Sequence, residues 1–374
     1  MVTGFVPPPY PYDRLDELKA IGDANDGGLV DLSIGTPFDP PPDAVTKALA
    51  ESGAERGYPP SIGTPEFREA AAGWLNRLVG STLTAEDVRA TIGSKEFVAG
   101  LPHYLRLRTP DRDTVLYPAI SYPSYAMGAT LGGCRAVPVP VDEHWRLDLS
   151  AVDPADVERA LCLWVNTPGN PAGGLDDLDA VAAWGREHDV LVVSDECYIA
   201  FTWDGPPRSV LSTGTDGVLA VHSLSKRSNL AGVRSGFYAG DAELVHYLGE
   251  VRKHAGFMAP GPVQAAAVAA FADEVHVEAQ RAIYRRRLEL MLRIVTRLGS
   301  AADMPGGGFY LWAPAPDGDA WAFARRLATE AGALVSPGEF YGEQGSGHVR
   351  IALVQPDHRL ALVAERLGVS IDPS

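Results

Sequence analysis

Short apolar runs alternate with helical patterns through the middle of the chain, between Asp87 and Gly240. The apolar runs have the length of β-strands and cover residues 88–93, 114–118, 160–166, 190–196, 217–225 and 235–241. Segments with helical spacing, such as Leu175–His188, lie between them. Continuously apolar strands that alternate with helices indicate a parallel sheet covered on both faces. We therefore predict an α/β domain whose functional groups lie just beyond the carboxyl ends of its strands.

The two ends of the chain follow a different pattern. Residues 1–40 are rich in proline and predict an extended arm with one short helix, Arg14–Ala24. A long helical pattern covers Val263–Leu298. Further strands are predicted over 309–314, 333–338 and 348–353, and further helices over 320–331 and 358–367. The prediction is a large domain over residues 41–270, with residues 1–40 and 271–374 forming the arm and a smaller α+β domain.

Charge and cysteine content exclude several classes of protein. The net charge is −16, and the densest basic run, Arg285–Arg287, has a helical pattern with Glu289 close behind it. A solvated helix face explains this run better than binding to nucleic acid does. Three widely spaced cysteines without a CxxC pair argue against a disulfide framework or a structural zinc site. No apolar run has the length of a membrane span, so we expect a cytoplasmic protein without a membrane partner.

The strongest local motif is VHSLSKRSNLAGVRSGF, residues 221–237, in which an apolar strand ends just before Lys226. A lysine at a strand end, beside the hydroxyls of Ser223 and Ser225, suits Schiff-base chemistry because its amine can be held near neutrality. Arg234 follows eight residues later. An ordinary solvated lysine on a loop is the alternative if the motif is considered by itself.

Three other polar groups also follow predicted strands. Asp195 in SDECY could hold a protonated pyridine nitrogen or could cap a helix, and Tyr198 could donate a hydrogen bond or only pack. Asn170, between Gly169 and Pro171, provides an amide in a turn-rich loop. In TIGSKEF (residues 91–97) a glycine and a serine precede a helical pattern, which is typical of an anion site but also of a simple cap.

Taken together, these motifs follow one order along the chain. Asn170, Asp195 and Lys226 each stand at a strand end, separated by 25 and 31 residues. The set resembles the aspartate aminotransferase-like enzymes, which depend on pyridoxal 5'-phosphate and have fold type I, and within them the class I/II aminotransferases. The resemblance covers nearly the whole chain.

The resemblance assigns roles to residues. Lys226 matches the Schiff-base lysine that also moves the substrate proton, and Asp195 matches the acid that pairs with the pyridine nitrogen. Asn170 and Tyr198 match the pair bonded to the ring hydroxyl oxygen. The phosphate group is matched by Ser94, the backbone of Lys95, Ser223 and Arg234. No metal is implied.

The aromatic residue that stacks on the cofactor ring is matched by Tyr122. Most relatives have proline, one residue and an aromatic, whereas two extra residues separate Pro118 from Tyr122 here. Tyr125 is therefore the reserve for this role.

The resemblance also implies substrate contacts and a partner subunit. Arg350, in HVRIAL, matches the arginine that binds the substrate α-carboxylate, although a surface arginine on an edge strand is the alternative. Gly35 matches the backbone glycine beside the same carboxylate, and Asn170 adjoins the substrate as well. Tyr58 matches a tyrosine that reaches the phosphate of the neighbouring subunit, which implies a homodimer with shared active sites.

Longer stretches such as VDLSIGTPFDP and RKHAGFMAPGPVQAA look like the N-succinyldiaminopimelate aminotransferase of lysine biosynthesis. That enzyme class moves an amino group between glutamate and N-succinyl-2-amino-6-ketopimelate. The resemblance makes the arm around Tyr10–Arg14 and the segment Lys253–Met258 candidates for the distal end of such a substrate. Lys253 is the preferred residue, with an ion pair to Glu250 as the alternative. Other class I/II aminotransferases, a pyridoxal-phosphate C–S lyase of the same fold and a non-enzymatic binding module are the competing hypotheses.

Overall fold

The computed structural model describes residues 4–371, which form two compact units. The larger unit consists of Thr36–Arg286 and Pro305–Tyr310. The smaller unit consists of the chain up to Gly35, Arg287–Met304 and the chain from Leu311 onward. Within residues 4–371 no helix combines the length and the apolar character needed to cross a membrane.

The elements are numbered in chain order. The strands are β1 (Val30–Asp31), β2 (Val88–Thr91), β3 (Thr114–Pro118), β4 (Arg135–Val139), β5 (Ala160–Asn166), β6 (Leu191–Asp195), β7 (Val218–Ser223), β8 (Gly236–Gly240), β9 (Tyr310–Pro314), β10 (Ala333–Leu334), β11 (Ser336–Pro337) and β12 (His348–Ala352). The helices are α1 (Asp16–Asp23), α2 (Asp43–Glu51), α3 (Pro65–Val79), α4 (Ser94–Arg108), α5 (Ser124–Leu131), α6 (Pro154–Glu158), α7 (Leu178–Glu187), α8 (Leu224–Arg227), α9 (Ala242–His254), α10 (Gly261–Ala272), α11 (Val275–Arg297), α12 (Ala320–Ala331) and α13 (Asp357–Arg366).

The large unit is built on a seven-stranded sheet in the order β2-β8-β7-β6-β5-β3-β4. Its strands run parallel except β8, which is antiparallel to both β2 and β7. The predicted α/β fold with a mostly parallel sheet is confirmed. All six strands predicted in this region are present within two residues at each end. The edge strand β4 was missed, because Arg135 is exposed and Pro138 interrupts the apolar pattern.

Each face of this sheet packs against helices. In β5, Leu163 and Val165 belong to one hydrophobic cluster, while Cys162 and Trp164 belong to the cluster on the other face. Successive side chains of a strand point to opposite faces, so a strand covered on both sides must be apolar at every position. This double coverage explains the continuous apolar runs in the sequence.

The prediction of one long helix over Val263–Leu298 was wrong. The chain forms α10 and α11 with a break at Asp273 and Glu274. The Asp273 carboxylate accepts a hydrogen bond from the backbone N–H of Val275 at 2.8 Å, which starts the second helix. An N-cap of this kind is easily missed when the helical spacing continues across it.

In the small unit, β1 pairs in parallel with β10, and the order β11-β12-β9 forms a three-stranded sheet. The strand predicted over residues 333–338 is therefore two short strands in different sheets. Helix α12 ends before Gly332, which has φ +61°, a left-handed conformation that suits glycine at a helix C-terminus.

Candidate active site

The carboxyl ends of β5 and β6 hold the first two predicted polar groups. Asn166 and Asp195 are register partners at the ends of these adjacent strands. The Asn166 side-chain amide donates to the Asp195 carbonyl oxygen at 2.8 Å, and its Oδ1 accepts from the backbone N–H of Asn170 at 2.8 Å. Asn166, which the sequence analysis did not single out, thus ties the Asn170 loop to the strand that carries Asp195.

Asp195 is a carboxylate in a buried, hydrogen-bonded position. It is 8% exposed, and its two oxygens accept from the Tyr125 hydroxyl at 2.9 Å and from the Cys197 backbone N–H at 3.2 Å. Burial raises the pKa of Asp195. Hydrogen bonds from Cys197 and Tyr125 lower it again, and so does the positive charge of Lys226. A cationic group placed against this carboxylate would favour its ionised form.

Tyr122 and Tyr125 have different surroundings. Tyr125 is fully buried, and its ring stacks on Trp164 with the centroids 5.1 Å apart. Since its hydroxyl bonds Asp195, Tyr125 supports the carboxylate from within the core and is not available to cover a ligand ring. Tyr122 is only partly buried and has the Lys95 Nζ 5.6 Å from its ring centroid. The structure thus leaves Tyr122 as the candidate for stacking.

Lys226 lies in the short helix α8, directly after β7. Ser223 caps this helix, because its Oγ accepts from the Ser225 backbone N–H at 3.1 Å. The Lys226 side chain is half-buried, with Nζ 5.7 Å from the Phe309 ring centroid. Since β6 and β7 are adjacent and parallel, Asp195 and Lys226 follow neighbouring strand ends.

Groups of the kind that bind anions lie at the start of α4 and at the end of β7. Gly93 has φ +72°, and a Cβ at this position would come within 2.2 Å of the Arg234 guanidinium. The Ser94 Oγ accepts from the Cys197 thiol at 3.3 Å, at the N-terminus of this 15-residue helix. The Ser223 hydroxyl lies 2.9 Å from the Ser225 hydroxyl. A guanidinium, serine hydroxyls and a helix N-terminus are groups that bind phosphate.

Other predicted residues have the following positions. Tyr198 is buried, and its hydroxyl lies 3.0 Å from that of Tyr310. Tyr58 is 94% exposed. The side chain of Lys253 is 60% exposed and forms an ion pair with Glu250 at 3.6 Å, which is the alternative role for this lysine.

The small unit holds the two predicted carboxylate-binding residues. Gly35 is buried, and Arg350 is 3% exposed in β12. The Arg350 guanidinium donates to the Ser33 carbonyl oxygen at 2.5 Å and to the Tyr12 hydroxyl at 3.2 Å. A guanidinium buried in this way is not the surface arginine that the sequence left as an alternative.

Glu196 and His222 form a buried pair beneath the strand ends. The His222 Nε2 lies 3.3 Å from the Glu196 Oε2, and both side chains are at most 1% exposed. Burial raises the pKa of Glu196 to about 7 and lowers the pKa of His222 to about 3. His222 also stacks on Phe237 at 4.8 Å. Both groups are therefore neutral in mildly acidic solution.

Replacing His222 by phenylalanine should reduce the acid sensitivity of the fold. A histidine whose pKa is lowered on folding stabilises the protein above pH 6.5, and this stability is lost as the pH falls towards 3. Between pH 6.5 and 4.5 the loss from this one group is about 2 kcal/mol. Thermal unfolding of both proteins at these two pH values measures it. An equal fall in Tm for wild type and variant would contradict the assignment.

Several residues that contact the predicted site residues could not be identified from the sequence around them. Tyr125 and Asn166 contact Asp195 only because separate strands and helices bring them there, as Tyr310 is brought to Tyr198. Ser225 was visible beside Lys226 in the motif. The contact of Tyr12 with Arg350 joins residues 338 positions apart.

Comparison with known families settles the class of protein. The model of the family "Aminotransferase class I and II" matches residues 28–367. The chain belongs to this family.

Three relatives illustrate the range within the family. This aminotransferase is 42% identical to 4-dedimethylamino-4-oxo-anhydrotetracycline transaminase OxyQ of Streptomyces rimosus, over 96% of this chain and 99% of that protein. It is 35% identical to the LL-diaminopimelate aminotransferase of Desulforudis audaxviator, with 96% and 95% coverage. The solved structure of a probable N-succinyldiaminopimelate aminotransferase from Thermus thermophilus is similar with a TM-score of 0.85, 33% identity, and 95% and 98% coverage.

Pyridoxal 5'-phosphate is the cofactor of this aminotransferase family. The groups in the large unit fit its chemistry. A Cβ on Gly93 would clash with the Arg234 guanidinium, so glycine allows this positive charge to lie against the start of α4, an arrangement that suits a phosphate. At the other end of the cofactor, the buried Asp195 could pair with a protonated pyridine nitrogen and so satisfy its charge.

Proposed function

We propose that this aminotransferase transfers an amino group from glutamate to a keto acid, with Lys226 as the residue that binds the cofactor. The observation that carries the proposal is the placement of Asp195 and Lys226 after adjacent parallel strands, with Asp195 buried. When bound, pyridoxal phosphate supplies an electron sink for negative charge that develops on the substrate. Lys226 Nζ would accept the proton from the substrate Cα and deliver it to the cofactor carbon C4′, and the second half of the reaction would run the same transfers in reverse on the keto acid.

The other residues of the large unit bind and orient. Asp195, whose two oxygens accept from the Tyr125 hydroxyl and from the backbone of Cys197, holds the proton on the pyridine nitrogen. Asn170 and Tyr198 bind the ring hydroxyl oxygen, and Tyr122 covers the ring. The phosphate is bound by Ser94, the backbone N–H of Lys95, Ser223 and Arg234. Asp195 thus provides a negative charge for the protonated pyridine nitrogen, and Arg234 provides a positive charge for the phosphate.

The substrate α-carboxylate is bound by Arg350, with Gly35 beside it. A planar guanidinium donates two parallel hydrogen bonds to a carboxylate, which a lysine cannot do. The proposal is supported by the burial of Arg350, because a buried guanidinium binds a carboxylate with little competition from water.

The keto acid that we propose is N-succinyl-2-amino-6-ketopimelate, as in succinyldiaminopimelate transaminases of lysine biosynthesis. Similarity to the Thermus protein and to an LL-diaminopimelate aminotransferase supports a substrate of this length and charge. A bulky ring ketone is a second candidate acceptor, because the identity to OxyQ is 42%. A C–S lyase of the same fold remains the competing reaction.

We also propose that the active enzyme is a homodimer with shared sites. Tyr58 is 94% exposed in the single chain. A tyrosine with so much apolar surface in water is typical of an interface, where a partner covers the ring and its hydroxyl finds a hydrogen-bond acceptor.

A panel of acceptors tests the reaction and its substrate. Glutamate is supplied as donor with N-succinyl-2-amino-6-ketopimelate, oxaloacetate, pyruvate and a polycyclic ketone, and formation of 2-oxoglutarate is followed. The proposal predicts the highest kcat/KM with the succinylated acceptor. A higher value with the polycyclic ketone would favour the second candidate. Release of ammonia and pyruvate from cystathionine, without any keto acid, would identify a lyase instead.

Replacing Arg350 by lysine should lower kcat/KM to a similar extent for every amino-acid substrate. The charge is kept but the bidentate geometry is lost, so kcat/KM should fall roughly 10- to 100-fold for glutamate and for the second substrate. Arg325→Lys is the matched control, since Arg325 is half-exposed and pairs with Glu17 at 2.9 Å. Unchanged kcat/KM in Arg350→Lys would place the carboxylate elsewhere.

A further inference from the structure

Residues 10–15 of the N-terminal arm contact the rest of the small unit through specific side chains. The Tyr12 ring packs edge-on against Phe340, with the centroids 5.6 Å apart. Arg14 forms an ion pair with Glu339 at 2.7 Å, and its guanidinium lies 5.6 Å from the Phe340 ring centroid. These contacts orient the partly buried side chain of Tyr12.

The Tyr12 hydroxyl takes part in a hydrogen-bond network with Arg350. It lies 2.8 Å from the Tyr341 hydroxyl and accepts from the Arg350 Nη2 at 3.2 Å. The same nitrogen donates to the Ser33 carbonyl oxygen, and the Arg350 guanidinium lies 4.6 Å from the Tyr341 ring centroid. One side chain of the arm therefore contacts the guanidinium that the proposed function assigns to the substrate.

We infer that Tyr12 is a positioning residue for the substrate carboxylate, and that it couples docking of the arm to carboxylate binding. The inference rests on the proposed role of Arg350. A bidentate pair requires the guanidinium plane to be fixed before the carboxylate arrives. The Ser33 carbonyl oxygen and the Tyr341 ring fix part of this orientation, and the Tyr12 hydroxyl supplies a further acceptor.

The hydroxyl of Tyr12, and not its ring, carries this role. The ring alone suffices for packing on Phe340, whereas the oxygen contacts the hydroxyl of Tyr341 and the guanidinium of Arg350. Because coupling between two binding events is reciprocal, a carboxylate bound at Arg350 must also stabilise the docked arm.

Tyr12→Phe tests the inference, since it removes the hydroxyl and keeps the ring. The ligand is glutarate, which has the two carboxylates of glutamate and no amino group to react. Calorimetric titration of the holoenzyme should give a Kd for glutarate about tenfold higher than that of the wild type. KM for glutamate should rise by a similar factor while kcat stays within about twofold, because the contact is made equally before and during the reaction. The Tm should not change.

Hydrogen exchange of the arm gives a readout that a packing role would not affect. Glutarate should slow amide exchange within residues 10–15 in the wild type and slow it less in Tyr12→Phe. Tyr247→Phe is the matched control, since it also loses one hydroxyl, which donates to the Tyr104 carbonyl oxygen at 2.8 Å in the large unit. This control should bind glutarate as the wild type does.

Arg350→Lys, measured in parallel, separates the two proposals. If Arg350→Lys weakens glutarate binding and Tyr12→Phe does not, the positioning role is overturned and the role of Arg350 stands. If neither variant weakens binding, the carboxylate site lies elsewhere and both proposals fail. A fall in kcat and Tm with unchanged Kd would give Tyr12 a structural role only, and would also overturn the inference.

Discussion

Replacing Lys226 by alanine is expected to lower kcat roughly 10⁴-fold or more, because the change removes both the cofactor anchor and the proton acceptor. The fold should survive, since Lys226 is half-buried in a short helix whose cap, Ser223, remains. Steady-state turnover with glutamate and 2-oxoglutarate measures the effect. Circular dichroism and the Tm establish that the variant is folded.

The control for this variant is Lys47→Ala. Lys47 is a mostly exposed lysine on α2, with a 3.9 Å ion pair to Glu51. Its replacement should leave turnover unchanged. If Lys226→Ala retained turnover within tenfold of the wild type, Lys226 would be an ordinary loop lysine and the proposed chemistry would be lost.

Replacing Asp195 by asparagine has the second largest expected effect. The amide keeps the size of the carboxylate, but its single oxygen can replace only one of the two oxygens that accept from Tyr125 and Cys197. It also carries no charge to hold a proton on the pyridine nitrogen. We expect kcat to fall roughly 10²–10³-fold, as when a preorganised electrostatic contact is removed. The cofactor should stay bound, because the residues proposed to bind its phosphate are unchanged.

Turnover and cofactor content must be measured together for this variant. The ratio of bound cofactor to protein, from absorbance after dialysis, should match that of the wild type. Asp179→Asn is the control, since Asp179 is an exposed carboxylate paired with Arg208 at 2.7 Å. Near-normal turnover in Asp195→Asn would mean that this strand-end aspartate is only a cap.

The large sheet could be predicted because each of its inner strands has an apolar pattern that is visible within its own segment of the sequence. Strands β3 and β5 were predicted with their observed ends, since a strand covered on both faces must be apolar throughout and its polar neighbours mark where it stops. The same rule located Asp195 and Lys226, because side chains that follow parallel strands lie at one edge of the sheet.

What the sequence did not predict depends on contacts between distant segments or on single capping residues. Tyr125 lies three residues from Tyr122, and only the contact of its ring with Trp164, in a distant strand, decides which of the two tyrosines reaches Asp195. The break between α10 and α11 depends on one aspartate cap within a continuous helical pattern. Tyr12 lies in a proline-rich segment whose partner, Arg350, is near the other end of the chain.

The most direct test of the account is to locate the cofactor on the chain. The holoenzyme is treated with borohydride, which reduces the bond between cofactor and lysine and makes it permanent, and the protein is then digested and mapped by mass spectrometry. The account predicts that the visible absorbance is lost irreversibly and that the modified peptide carries the added mass on Lys226. A modification on any other lysine, or no modified lysine in a cofactor-loaded enzyme, would contradict it.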